Sequence, residues 1–196
     1  MTTAQLESAG FVAAIDRDGT PEVDAGATAT GLLSLRLDPS FQLDDAVLSI
    51  GRPENRQAHV PLGESGELVL LTPVAYQSLG DAADAVSTVT IEQATVSWDT
   101  ADPRAQSAVG AAFLTINWTL ESAVGTALND DVLTLRLPSG AEVEPVKAST
   151  QQLDAGEVAT GLTAVFEVDD PALGEYVLEY AERFGNGVVE IAFVLN

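Results

Sequence analysis

Few side chains in this sequence are equipped for chemistry. His59 is the one histidine and there are no cysteines. Thiol nucleophiles, disulfides and thiolate metal sites are therefore excluded. A Ser-His-Asp arrangement would have to use His59, which is read as lying in a polar loop, with no G-x-S-x-G motif beside it. The expectation is an exposed, inert histidine. A histidine-based zinc site needs more imidazoles than the chain has. Asp16-Arg17-Asp18-Gly19-Thr20-Pro21-Glu22 alternates carboxylates before a glycine, as a loop wrapping a hard cation would. Asp16, Asp18 and Glu22 are the candidate calcium ligands. The third acid of the D-x-D-x-D-G spacing is missing, so a polar turn is the competing reading. Asp44-Asp45, Asp130-Asp131 and Asp169-Asp170 are further acidic pairs in turn contexts. Paired carboxylates also keep a glycoside-type hydrolase open, because their separation cannot be read from sequence.

These residues sit in an acidic background. Thirty acids face eight bases, giving a formal net charge of -22, although only 19 % of residues are charged. Such a field repels phosphate backbones, and the chain has no basic patch, so nucleic-acid binding is not expected. Anionic membrane surfaces are disfavoured for the same reason, and no apolar run approaches the length of a membrane span. Met1-Thr2-Thr3 has neither the basic start nor the apolar stretch of a signal peptide. Either the protein is cytosolic or its export signal lies outside this sequence. With 46 % hydrophobic residues in 196, the chain can bury a core.

The elements that must position any site read as β-strands. Phe11–Ile15, Leu32–Leu37, Ala46–Ile50 and Leu68–Leu71 are predicted strands of the first half, separated by turn clusters such as Asp38-Pro39-Ser40 and Gly51-Arg52-Pro53. The lead-in MTTAQLESA reads as loose, and Val74–Val86 as a short helix or linker interrupted by Gly80. The second half is more regular. Val89–Trp98 and Ala111–Leu120 are long strands, the latter with Phe113, Thr115, Asn117 and Thr119 on one face. Leu114, Ile116, Trp118 and Leu120 lie on the other and should meet the core. Val132–Leu137, a hairpin at Pro138-Ser139-Gly140 and a strand from Glu142 to Lys147 follow. The stretch Leu153 to Tyr180 then holds a turn, an F-E-V strand, the stop Asp169-Asp170-Pro171 and a Y-V-L-E-Y strand. Gly185-Asn186-Gly187 leads into Val188–Leu195. Trp98 and Trp118 are expected to plug the core. Asn117-Trp118-Thr119 is formally a glycosylation sequon, inside a predicted strand.

About a dozen short strands with hardly any helix predict an all-β sandwich. The halves also share an order of marks. The pairs are Asp44-to-Ile50 with Asn129-to-Leu135, Gly66-Glu67 with Gly156-Glu157, and Thr72-Pro73 with Asp170-Pro171. They suggest two tandem related units: a shorter sandwich-like one at 10–84 and a fuller one at 88–196. A single large sandwich is the alternative.

The pieces AFLTINWTL, VLTLRLPSGAEV, Leu153–Glu157, Gly161–Val168 and Tyr176–Tyr180 resemble the immunoglobulin-like sandwich of bacterial secreted and lipoprotein domains of unknown function. The mycobacterial secreted immunogenic antigen belongs to that group. The match runs from about Val89 to Asn196. Its usual asparagine after the long strand is absent, with Leu120-Glu121-Ser122 in its place. The resemblance implies an immunoglobulin-like fold and an exported, non-enzymatic domain, extracellular or in the cell envelope, and carries over no catalytic residues. The leading expectation is thus a binding or adhesion module for an unknown protein or cell-surface ligand. A cation-dependent subunit of a surface layer or fibre, and a carboxylate-based hydrolase, are the alternatives. The oligomeric state is not legible.

Overall fold

The structure, a computed structural model, describes residues 4–8, 11–15, 39, 41–64, 66–98, 106–182 and 187–196. Its described residues contain no α-helix and form antiparallel sheets throughout. The chain divides into two compact units, Met1–Leu71 and Thr72–Asn196.

In the first unit, β1 (Ala4–Ser8) pairs on one side with β2 (Phe11–Ile15) and on the other with β3 (Val47–Ile50), which pairs with β4 (Ala58–Pro61). The lead-in expected to be loose therefore carries a strand. Its alternation, Ala4, Leu6 and Ser8 against Gln5 and Glu7, is too weakly apolar to announce itself. A 3₁₀ turn at Leu43–Asp45 leads into β3. The predicted strand Leu32–Leu37 lies outside the described residues. Of the predicted Leu68–Leu71 strand, only Val69 takes part in a bridge, to His59.

The second unit holds two main sheets. The long sheet has the order β11-β13-β7-β6-β5, with β5 at Val74–Ala83, β6 at Ser87–Ser97, β7 at Ala111–Ser122, β11 at Lys147–Ala148 and β13 at Val158–Asp169. The short sheet has the order β10-β9-β14-β15, built from β9 (Leu133–Arg136), β10 (Glu142–Val143), β14 (Gly174–Ala181) and β15 (Val188–Leu195). A two-stranded ladder joins β8 (Thr126–Leu128) to β12 (Gln151–Leu153).

The two main sheets share one apolar core. Leu114, Ile116, Trp118 and Leu120 of β7 meet Leu162, Ala164 and Phe166 of β13, Leu178 and Tyr180 of β14, and Ile191 and Phe193 of β15. Trp118 is 1 % exposed and packs its ring against Tyr180, centroids 6.1 Å apart and tilted by 49°. That tilt suits two ring quadrupoles. Tyr176 stacks on Phe193 at 5.6 Å. The face assignment made for Ala111–Leu120 holds. Trp118 is the expected core plug, while Trp98 is only half-buried against the core's margin.

Three local departures have physical reasons. Val74–Val86 is not a helix or linker but mostly strand β5, and Gly80 is part of a bulge within it. Register slips between Gln77 and Gly80, where Ser78 has φ 53° and Gly80 φ 128°. Asp84 then turns the chain, its carboxylate accepting hydrogen bonds from the amides of Val86 and Ser87. The predicted strand from Glu142 to Lys147 is instead two short pieces in different sheets, with Pro145 between them. Proline has no N–H to give a ladder, so pairing stops there and the chain changes sheets. Finally, β6 carries a bulge between Ile91 and Gln93, which keeps Val89 and Ile91 on the same face as Ala94 and Val96.

A 3₁₀ turn at Asp130–Val132 leads into β9, as the Leu43–Asp45 turn leads into β3. The two halves therefore agree locally where the sequence pairs Asp44-to-Ile50 with Asn129-to-Leu135.

Candidate functional site

The sequence-level candidates do not assemble into a reactive centre. Asp16, Asp18 and Glu22 lie outside the described residues. Among the described residues no group of three or more histidine, aspartate or glutamate side chains could hold a metal ion. His59 is in strand β4, not a loop, and it is half-buried, not exposed. Its Nδ1 lies 2.9 Å from Ser49 Oγ, a serine buried to 2 % exposure. A serine so enclosed cannot approach a substrate, so the pair ties β4 to β3. Asp44-Asp45 and Asp130-Asp131 sit in the two 3₁₀ turns, and Asp169 ends β13. The acids of Leu153–Glu157 are turn chemistry: the Asp154 amide donates to Glu157 Oε2 at 2.8 Å, and the Gly156 amide donates to the Ser122 carbonyl at 2.8 Å.

What the fold does bring together is the outer face of the long sheet. Strand registers place Gln77, Gln93, Asn117 and Thr163 in one cross-strand row, and Ala75, Thr95, Thr115 and Val165 in the next. Asp81, Thr90 and Thr119 stand in the row before them. Neighbouring strands lie roughly 4.8 Å apart, and same-face residues along a strand roughly 6.6 Å. The result is a lattice of hydroxyl and amide groups, with Ala75 and Val165 at two of its positions and the carboxylates of Asp81 and Glu92 at its border.

Hydrogen bonds order part of it. Gln77 Nε2 donates to Gln93 Oε1 at 2.7 Å, and Gln93 Nε2 donates to Thr95 Oγ1 at 2.8 Å. Thr119 Oγ1 donates to Glu92 Oε1 at 2.6 Å, and Thr163 Oγ1 reaches Asn117 Oδ1 at a longer 3.4 Å. The hydroxyls of Thr90 and Thr115 make no side-chain hydrogen bond to the described residues. Phe113, on the same side of β7, is buried and offers no protruding ring. The sequence placed Thr115, Asn117 and Thr119 together. It missed Gln93 and Thr95, because strict alternation along β6 fails at the bulge. The signal was there: the apolar spacing changes from two to three between Ile91 and Ala94.

The outer face of the short sheet is different. Glu179 and Glu190 are direct cross-strand partners, and Arg136 reaches both, hydrogen-bonding Glu179 and lying 3.4 Å from Glu190. The bond to Glu179 raises the Arg136 guanidinium above its ordinary value, aided by the charge of Glu190. Burial pushes Tyr176 up, and it does the same for Tyr180, whose hydroxyl lies 3.4 Å from Thr126 Oγ1. These groups hold the sheet together and its tyrosines neutral.

The fold and this face define an all-β chain with a two-sheet unit, a polar face and no assembled catalytic set among its described residues. No family model matches the chain, and no curated protein does. Among solved structures it is similar to the proposed lipoprotein ycdA of Bacillus subtilis, at 13 % identity and a TM-score of 0.46, covering 62 % of this chain and 39 % of that one. It is also similar to a conserved hypothetical protein from Bacillus anthracis (11 % identity, TM-score 0.43, 61 % and 96 % covered). A functionally unknown protein from Listeria monocytogenes gives 13 % identity and a TM-score of 0.44 over 64 % of this chain and 86 % of that one. The chain thus spans well under half of ycdA. Among the described residues, no helix is long and apolar enough to cross a membrane.

Proposed function

We propose that this chain is a non-enzymatic binding module of the cell envelope or extracellular space. Its second unit is an immunoglobulin-like β-sandwich, and it engages its target through the outer face of the long sheet. One observation carries the reading. The two central rows, Gln77-Gln93-Asn117-Thr163 and Ala75-Thr95-Thr115-Val165, contain no carboxylate in a chain of net charge -22. A face needed only for solubility would accept the acids that crowd the turns. A face that must approach another surface gains from leaving them out, because a charge desolvated without a partner is costly. The envelope location is supported by the resemblance of the second half to secreted and lipoprotein domains.

The test is co-sedimentation of the purified protein with isolated bacterial cell envelopes, alongside the variant Thr95→Glu/Thr115→Glu. Wild type is expected in the pellet and the variant in the supernatant. Absence of wild type from the pellet, or equal sedimentation of both, contradicts the proposal. Turnover of any polysaccharide in the same preparation would remove the non-enzymatic part. A signal peptide or lipobox in the full gene product would support the location, and a cytosolic continuation would sink it.

A further inference from the structure

Resting on that reading, we infer that the outer face of the long sheet takes an extended, uncharged, hydroxyl-rich polymer: a neutral polysaccharide. Charge and hydrogen-bond matching point to such a polymer. A phosphate- or sulfate-bearing polymer would meet a protein of net charge -22 whose two central rows hold one basic side chain, Lys147, at the β11 end beside Val165. Such a polymer is repelled at long range and largely unpaired at contact. A cationic polymer would find no carboxylate in those rows and would be drawn to the acidic turns elsewhere. A neutral polymer carries neither penalty.

The groups present suit hydroxyl partners. Each threonine hydroxyl offers one donor and two acceptor sites, and each glutamine or asparagine amide offers both kinds, as a sugar hydroxyl does. Thr90 and Thr115 have that capacity unspent by the described residues. Gln77, Gln93 and Thr95 are held in position by one another at 2.7 and 2.8 Å, so little side-chain freedom is lost on binding. The rows run across β5, β6, β7 and β13 as far as Val165, which is buried, and their length fits a chain lying across the sheet rather than a small sugar. With Phe113 buried, the face has no exposed aromatic to stack on a sugar ring. Each contact is then an ordinary hydrogen bond exchanged with water, and affinity accumulates along the polymer.

Affinity electrophoresis in gels containing hydroxyethylcellulose, dextran or galactomannan tests this, with polygalacturonate and chitosan gels as the charged probes. Wild type is expected to be retarded by at least one neutral polymer, with little dependence on salt. Thr95→Val, which keeps strand propensity and removes a hydroxyl, should weaken retardation about five- to tenfold, the scale of one lost hydrogen bond. Thr115→Glu/Asn117→Asp should abolish it, and Glu175→Gln on the other sheet should leave it unchanged. Thermal unfolding of each variant separates lost binding from lost folding, and Thr95→Val keeps the test decisive if the charged variant fails to fold. Retardation by a charged polymer alone, or equal retardation of wild type and Thr95→Val, overturns the inference. Envelope binding through this face with no retardation in any neutral gel also overturns it, and leaves the proposed function standing. Loss of envelope binding itself would instead strike that function.

Discussion

Gly174 opens strand β14, and its substitution by alanine combines two physical costs. Its φ is 121°, and a Cβ built there would lie 2.9 Å from Pro138 Cγ and 3.0 Å from Pro138 Cβ. The backbone conformation alone costs an L residue about 1–3 kcal/mol. The contact adds about 1–3 kcal/mol, because a proline ring cannot swing aside as a flexible side chain would. Gly174→Ala should therefore lose roughly 2–6 kcal/mol in all. Gly140 is the internal control: its φ is 84° and nothing lies within 4 Å of its built Cβ, so Gly140→Ala should lose only about 1–2 kcal/mol. Urea unfolding followed by tryptophan fluorescence reads the right part of the molecule, since both tryptophans, Trp98 and Trp118, belong to the second unit. A cycle with Pro138→Ala removes Cγ and should return part of the contact cost as a coupling energy. If Gly174→Ala costs no more than Gly140→Ala, or shows no coupling to position 138, the packing of β14 beneath the Pro138 hairpin is wrong.

Other consequences follow from the same geometry. Leu114→Ala, at a side chain with no exposure, should cost about 2–5 kcal/mol, whereas Thr115→Ala beside it should stay within about 1 kcal/mol; similar losses at both would refute the face assignment of β7. Replacing Arg136 by Met leaves Glu179 and Glu190 directly opposed, so the melting temperature should fall at low salt, recover as sodium chloride screens the pair, and recover without salt when Glu190→Gln is added. Tyr176 and Tyr180 are held neutral by burial, so their contribution is fully present below the ordinary tyrosine value near about pH 10 and is lost as pH climbs through the raised values. Urea midpoints between about pH 9 and 12 should therefore decline, and decline less steeply in Tyr176→Phe/Tyr180→Phe.

Where the sequence spoke clearly, one period ran uninterrupted. β7 alternates without a break, so its core residues were legible to the position. Where it misled, a bulge or a proline had altered that period. Gly80 looks like a helix breaker because YQSLGDAADAV has alanines at helical spacing, yet in the fold it supplies the positive φ of a bulge on an edge strand. Propensity lost there to cross-strand pairing, which a local reading does not see. Pro145 turned one expected strand into two that serve different sheets. His59 read as loop because its polar flank hid a four-residue strand, whose partner Ser49 is ten positions away. The candidate face was half legible: β7 supplied its threonines and asparagine by alternation, while the glutamine row needed the register of β5 and β6.

The distribution of acid ties these strands of reasoning together. Carboxylates in this chain turn corners, as Asp84 does for the β5–β6 hairpin and Glu157 for the turn before β13. On the short sheet two of them face each other directly and require an arginine, one of only eight basic residues, to be tolerable. On the long sheet the central rows avoid that requirement by using amides and hydroxyls that bond to one another. A sheet face of this kind keeps its order without counter-ions, so its hydrogen-bonding pattern should be insensitive to salt while that of the short sheet is not. Amide exchange on β6 and β14 at low and high sodium chloride puts the contrast to the test: β14 should change protection in the Arg136→Met variant and β6 should not. Equal salt response in both strands would mean that charge governs the two faces alike, and the case for an uncharged binding surface would fall with it.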